Sequence, residues 1–328
     1  MKKRKVIILA LTILPLLLSV PIQKGYPQTL QITTFTDMIS HDFGEKITIY
    51  GNLTKNSQLL TDGLVAIQVK NPTNTTIVIR TVQTGPNVTI GSTVYVHQVI
   101  PCDFYGNPKD TFQQGTLAYF KILLENYNPN PLTALITINL FDNESTPIGY
   151  AATSGSFVPR ELYMLILSIA IPLDATVGQA TICANAYTDW PSQNGTPYCP
   201  EKTAKLQITG TTKGIQQSNP KTNSQISYGN YNLTFKISEN TLAGKYQVYV
   251  SSKYLEETAY DKTYFGVLSG DVNRDLSVDS TDLGLLGMSW GLTPEDPYYN
   301  PYADLNKDGI VDSTDLGIMG SYWGFLIE

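Results

Sequence analysis

"GDVNRDLSVDSTDLG" occupies Gly270 to Gly284, and "ADLNKDGIVDSTDLG" occupies Ala303 to Gly317, thirty-three residues later. Numbered from its first Asp, one copy places Asp271, Asn273, Asp275, Ser277, Asp279 and Asp282 at positions 1, 3, 5, 7, 9 and 12. The other places Asp304, Asn306, Asp308, Ile310, Asp312 and Asp315 at the same positions. A chain wrapped around a hard cation turns alternate residues inward, so oxygens at 1, 3 and 5 converge. Position 7 offers its backbone carbonyl, which makes Ser277 and Ile310 equivalent, and a carboxylate at 12 closes the shell from the following helix. Each loop gathers four carboxylates, which repel one another without a cation. A solvated acidic surface is the bland alternative, but it does not account for two copies in one register. The spacing predicts two Ca²⁺ sites.

The copies differ at position 6, Leu276 against Gly309. The loop turns sharply there and favours φ > 0, which opposes a branched side chain. The first site is therefore expected to bind the metal more weakly. Val278 and Val311, at position 8, are expected to pair between the loops. Neither loop has an entering helix. "YFGVLSG" ends a strand before Asp271, and Pro294, Pro297 and Pro301 forbid a continuous helix before Asp304. What remains is loop plus exit helix, twice: "DLGLLGMSWG" and "DLGIMGSYWG".

Ser269–Gly324, with these two loops and Asp at position 12, resembles the dockerin family. The resemblance implies two bound Ca²⁺ and docking onto cohesin-type modules in extracellular, often polysaccharide-degrading, assemblies. It also implies a partner-selecting role for positions 10 and 11, here Ser280, Thr281, Ser313 and Thr314. The alternative for these four is that Ser and Thr favour helix starts. The exit helices carry Gly284, Gly287, Gly317 and Gly320, with Trp290 and Trp323, and no Lys or Arg. Those glycines predict close packing of the helices on each other or on a neighbouring domain.

Upstream, Leu30 to Val267 reads as short alternating or apolar runs between turn residues, such as "KITIYGNL", "LVAIQVK", "ALITINLFD" and "KYQVYVSSKY". The fold class is mainly β: two Ig-like β-sandwiches, one inserted in the other, plus a small α-helical dockerin-like domain. Residues 30–85 and 228–268 are each too short for a sandwich and are joined as one split domain. Residues 86–210 form the inserted sandwich, 211–227 the return linker and 269–328 the calcium module. Three consecutive small β-domains are the alternative. "SHDFGEKITIYGNLTKNSQLLTDGLVAIQVKNPTNTTIV" and "YNLTFKISENTLAGKYQVYVSSKYLEETAYDKTYFGV" resemble the halves of macroglobulin-type sandwiches of prokaryotic surface proteins. "LENYNPNPLTALITINLFDNESTPIGYAATSGSFVPRELYMLILSIAIP" is similar to adhesion-related domains of the CARDB kind.

The chain of 328 residues is 15% charged, below the ~25% of an average soluble domain. Lys2, Lys3, Arg4 and Lys5 precede an apolar run from Val6 to Val20. Residues 1–25 read as a signal peptide, the alternative being an uncleaved membrane anchor. Both place the rest outside the cell, secreted or on the surface. The sequons at Asn52, Asn74, Asn87, Asn143, Asn194 and Asn232 suit a glycoprotein. Cys183 and Cys199 flank a short polar stretch and are expected to bridge, leaving Cys102 over. Ser269 to Glu328 holds eleven Asp and Glu against two Arg and Lys, a net of −9 within a whole-chain −6. The acid is thus concentrated at the C-terminus, and no basic patch suggests nucleic acid. No catalytic signature appears, so the chain is expected not to be an enzyme. Polysaccharide is a candidate ligand, with Tyr187, Trp190 and Tyr198 as possible stacking residues and local packing as their alternative.

Overall fold

In a computed structural model the described residues are 29–88, 93–210 and 228–328. The expected signal segment and linker lie outside them. The protein is mainly β, with two short helices at the C-terminal end. Four sheets build the body. Sheet one joins β1 (Leu30–Thr36), β3 (Lys46–Lys55) and β15 (Asn230–Lys236), with β4 (Gln58–Leu59) beside β3. Sheet two runs β2 (Ser40–His41), β17 (Glu257–Val267), β16 (Gly244–Tyr254), β5 (Leu64–Lys70) and β6 (Thr76–Gln83). Sheet three runs β11 (Pro147–Phe157), β10 (Leu132–Phe141), β13 (Gly178–Tyr187), β14 (Lys202–Thr209) and β8 (Thr111–Gln113). Sheet four runs β12 (Leu162–Ala170), β9 (Leu117–Asn126) and β7 (Val94–Cys102).

Strands far apart in sequence complete the first two sheets. β15 pairs antiparallel with β3 through Tyr231↔Gly51, and β16 with β5 through Val250↔Ile67. The pattern of each strand follows from its place. β3 alternates buried and open residues, as a strand with one face on a core must. β5 and β10 are buried on both faces and read as near-continuous apolar runs. The reason is stacking: sheets one and two enclose a core around Ile47, Ile67, Val248 and Phe265. Sheets three and four enclose another around Phe120, Ile122, Ile138 and Ile182. Between sheets two and three lies a third layer of Ala66, Ile79, Leu135 and Tyr187.

That middle layer also holds polar ties. Asn139 Oδ1 accepts from the Ile79 amide at 2.9 Å, and Gln68 Oε1 from the Ser192 amide at 2.9 Å. The Arg80 guanidinium donates twice to Glu201, Nε at 2.8 Å and Nη2 at 2.7 Å. Such a fork fixes orientation as well as energy. The four sheets thereby form one stacked body.

The expected bridge between Cys183 and Cys199 is corrected here: all three cysteines are free and buried. Cys183 packs with the first sandwich's core and Cys199 with the second's. Their thiols therefore serve as small apolar fillers in separate cores. Tyr187 is likewise fully buried, and its hydroxyl accepts from Thr81 at 3.1 Å. It has no face to offer a sugar. Trp190 packs edge-on against Tyr150, and the Tyr198 hydroxyl donates to the Thr133 carbonyl.

Candidate metal centre

The two acidic loops share one pattern of amide-to-carboxylate hydrogen bonds. At position 1, Asp271 accepts from the amides of Asp275 (3.0 Å) and Leu276 (2.9 Å). Asp304 accepts from Asp308 (3.2 Å) and Gly309 (2.9 Å). Position 3 accepts from the amide of position 5 at 3.0 Å in each loop. Its own side-chain NH₂ reaches the position 5 carboxylate at 2.7 and 2.8 Å. At position 12, one oxygen of Asp282 accepts from Val272 and Asn273, and the other from Asp279. Asp315 does the same with Leu305, Asn306 and Asp312.

The loops also start their helices. Asp279 caps α1 (Ser280–Met288) and Asp312 caps α2 (Ser313–Ser321), each in a reciprocal capping box with position 12. One oxygen of each position 9 carboxylate is therefore spent on the helix, which suits a ligand that acts through water. Asp282 and Asp315 are fully buried, and Asp271 and Asp304 nearly so. Burial pushes the Asp271 carboxyl up from its ordinary range. Burying several carboxylates together is costly unless a cation joins them. The donors are all oxygen, the set a hard cation takes. Among the described residues no three His, Cys, Asp or Glu side chains suffice for a metal shell.

Position 6 is left-handed in both copies, φ 74° at Leu276 and 91° at Gly309. Sequence reasoning missed the reason for the leucine. Leu276 is buried, and its side chain lies where a Cβ on Gly266 of β17 would sit, whereas Gly309 faces open space. Leu276 thus pegs the first loop to sheet two. Position 4 was also missed. Arg274 donates to Glu45 (2.7 Å) and to the Ser40 carbonyl (3.2 Å). Lys307 donates to the Phe43 carbonyl (2.8 Å). Both have φ near +60°, which swings each side chain off the loop toward the sandwich. Glu45 lies between Arg274 and His41. Its carboxyl is opposed by burial, yet those two partners hold it down to about 2.

Two expectations are corrected. Val278 and Val311 do not pair with each other. Val278 exchanges backbone bonds with Gly324 and Phe325, and Val311 with Gly291 and Leu292. Each loop therefore binds the tail of the other copy's helix, and only the two side chains share the small core. The helix glycines do not mediate packing either. A Cβ added at Gly284, Gly287, Gly317 or Gly320 would touch nothing within 4 Å. They open outward, beside exposed Leu283, Met288, Leu316 and Trp323. Ser280, Thr281, Ser313 and Thr314 are exposed on these same helix starts. The sequons are exposed at Asn52, Asn74, Asn87, Asn194 and Asn232 and half-buried at Asn143.

Residues 269–322 match the family model of the dockerin type I domain. No curated protein matches the sequence significantly. Among solved structures, the body is similar to a CARDB domain of Pyrococcus furiosus solved in complex with di-metal ions. That likeness is 13% identical with a TM-score of 0.26, over 38% of this chain and 95% of that one. The C-terminal domain of wzt gives 9% identity and a TM-score of 0.32, over 42% and 86%. A Paenibacillus cycloisomaltooligosaccharide glucanotransferase gives 10% and 0.26, over 36% and 14%. Scores of this size carry no inference about ligand or activity.

Proposed function

We propose that the protein is a secreted or cell-surface, non-catalytic scaffold whose C-terminal module docks a cohesin-type partner in an extracellular assembly. The module holds two Ca²⁺, one per loop. Asp271, Asn273, Asp275, the Ser277 carbonyl and Asp282 supply the first set, with Asp279 through water. Asp304, Asn306, Asp308, the Ile310 carbonyl and Asp315 supply the second, with Asp312 through water. The cation neutralises the buried carboxylates and ties each loop to the start of its helix. The observation that carries this reading is the one-to-one hydrogen-bond scaffold of the two loops. Docking is through Ser280, Thr281, Ser313 and Thr314, together with the apolar helix faces beside them. The body that presents the module is one sandwich, residues 30–85 and 228–268, split by another at 86–210.

The test is to mix the intact protein with a panel of cohesin modules in calcium and in EDTA. A complex that forms only in calcium and is lost in a Thr281→Arg, Thr314→Arg double variant is expected. No calcium-dependent complex with any cohesin would remove the partner claim. A second reading has its own support in the ties of Arg274, Lys307 and Leu276 to the first sandwich. In it the calcium module locks that end of the body and has no partner. A calcium-induced rise in melting temperature without any complex would favour it.

A further inference from the structure

The outward face of sheet two is covered only in part. Over β5 and the middle of β16 the second sandwich sits on it, through Ser192 on Gln68 and the Ser251 hydroxyl on the Gly195 carbonyl. Toward β17 the face is bare. There the register sets Gln247 opposite Tyr264 and Tyr249 opposite Lys262, with Lys70 of β5 beyond Gln247. Lys245, Gln247, Tyr249, Lys262 and Tyr264 line a depression of about 370 Å³. Tyr260, 43% exposed, extends the aromatic row along β17.

The charge of this face is opposite to that of the chain. Its bare part presents Lys70, Lys245 and Lys262 and no acidic side chain, in a protein of net charge −6, while Lys253, further along β16 on the same face, pairs with Glu256. Lys245 lies over the Tyr264 ring at 4.4 Å and donates to the Glu328 main-chain oxygen. Lys70 lies at 6.0 Å from the Tyr249 ring and donates to Asn74. Among the described residues neither Lys70 nor Lys262 forms an ion pair, whereas Lys245 is held by the main-chain oxygen of the last residue, Glu328. Strand pairing alone gathers them, because Lys70 is 175 residues from Lys245 in sequence.

We propose that this face binds an acidic glycan, a polysaccharide bearing carboxylate or sulfate groups. Half-exposed tyrosine rings stack on the apolar faces of pyranose rings, and an amphipathic ring loses little entropy in doing so. Gln247 and the phenol hydroxyls bond sugar hydroxyls. The ammonium groups meet the anionic substituents, and that complementarity selects charged over neutral chains. A neutral glycan uses the rings but leaves the lysines unmatched. An extended nucleic acid calls for a longer basic track than three lysines provide. The inference stands apart from cohesin docking, which uses the exposed helix starts of the acidic module.

Affinity of the intact, calcium-loaded protein for hyaluronan, heparin and oligogalacturonate fragments tests it. Chito-oligosaccharide of equal length and a single-stranded oligonucleotide are the comparisons. At least one acidic glycan is expected to bind more tightly than both, and more weakly as salt rises. Tyr264→Ala and Lys262→Ala should each weaken it about tenfold, as expected of an aromatic or charged hot spot, while Tyr264→Phe retains most of it. No binding to any of the three glycans would overturn the proposal. So would binding that ignores both substitutions, or an oligonucleotide held as tightly. Cohesin binding measured on the same variants should be unchanged, so the two readings fail separately.

Discussion

Loop one, Asp271 to Asp282, backs onto sheet two through buried Leu276, which lies against Gly266 of β17. Loop two, Asp304 to Asp315, leaves Asn306, Lys307, Asp308 and Ile310 exposed. Their internal hydrogen bonds nonetheless agree to within a few tenths of an ångström. The scaffold of a metal loop is thus set by its own acidic side chains. Positions 4 and 6 point away from the metal and are free to serve another purpose. In loop one they serve the domain junction.

Calcium removal should have the largest effect. Without the cation, buried Asp271 faces the charge of Asp282 in loop one, and Asp304 and Asp315 are likewise buried in loop two. Chelation is expected to melt the C-terminal module and leave the four stacked sheets folded, giving two separate transitions in calorimetry. Coincident loss of both would show that the junction carries the whole body. Single-site variants then separate the loops. Asp282→Ala and Asp315→Ala each strand three amides, at about 1–3 kcal/mol per buried group. Native mass spectrometry should count one bound Ca²⁺ in each variant instead of two. Asp282→Ala should also loosen the junction, which hydrogen exchange at Ser40 and Phe43 would report.

Next in size is the contrast at position 4. Arg274 and Glu45 are mostly shielded, 12% and 20% exposed, whereas the Lys307 side chain is 50% exposed. Arg274→Ala leaves Glu45 without its strongest cation and should cost about 3 kcal/mol. Lys307→Ala should cost under about 1 kcal/mol. Equal melting shifts would remove the distinction between an anchored and a free loop. The same bridge predicts a pH response. Glu45 is held at about 2 against an ordinary 4.5. A depressed carboxyl contributes stability that is whole above 4.5 and is lost as pH falls through about 2. Glu45→Gln should therefore flatten the melting curve in that window, and an unchanged profile would discard the Glu45 carboxyl, held by His41 and Arg274 together, as its cause.

What was legible in sequence was what is local. Oxygens at positions 1, 3, 5 and 12 lie within twelve residues of one another, and their spacing alone announces the loop. The β class followed from alternation, and the left-handed turn at position 6 from loop geometry. What was not legible depends on partners far along the chain. Nothing near Arg274 names Glu45, 229 residues away. The stacking of sheet two on sheet three buries both faces of β5 and β10, which read the same as single-sandwich core. Cys183 and Cys199 are close in sequence, but their strands deliver the thiols to different cores. The helix glycines suggest packing only to a reader who cannot see that their face is open.

The smallest effect is the most informative. Leu276 at φ 74° is strained by about 1 kcal/mol relative to glycine. A loop that relaxes without metal recovers that strain, so it opposes binding at site one and not at site two. Leu276→Gly should raise the affinity of site one about fivefold, the equivalent of ~1 kcal/mol. The same change removes a buried leucine from Gly266 and Ile327, a loss of about 2 kcal/mol. The variant should thus bind calcium better and hold the sandwich worse. Gly309→Leu adds strain where no neighbour lies within 4 Å to compensate, so it should weaken site two alone. Calorimetry that finds two equal sites, indifferent to both substitutions, would show that position 6 strain survives in the metal-free loop. The leucine would then be an anchor with no effect on the metal.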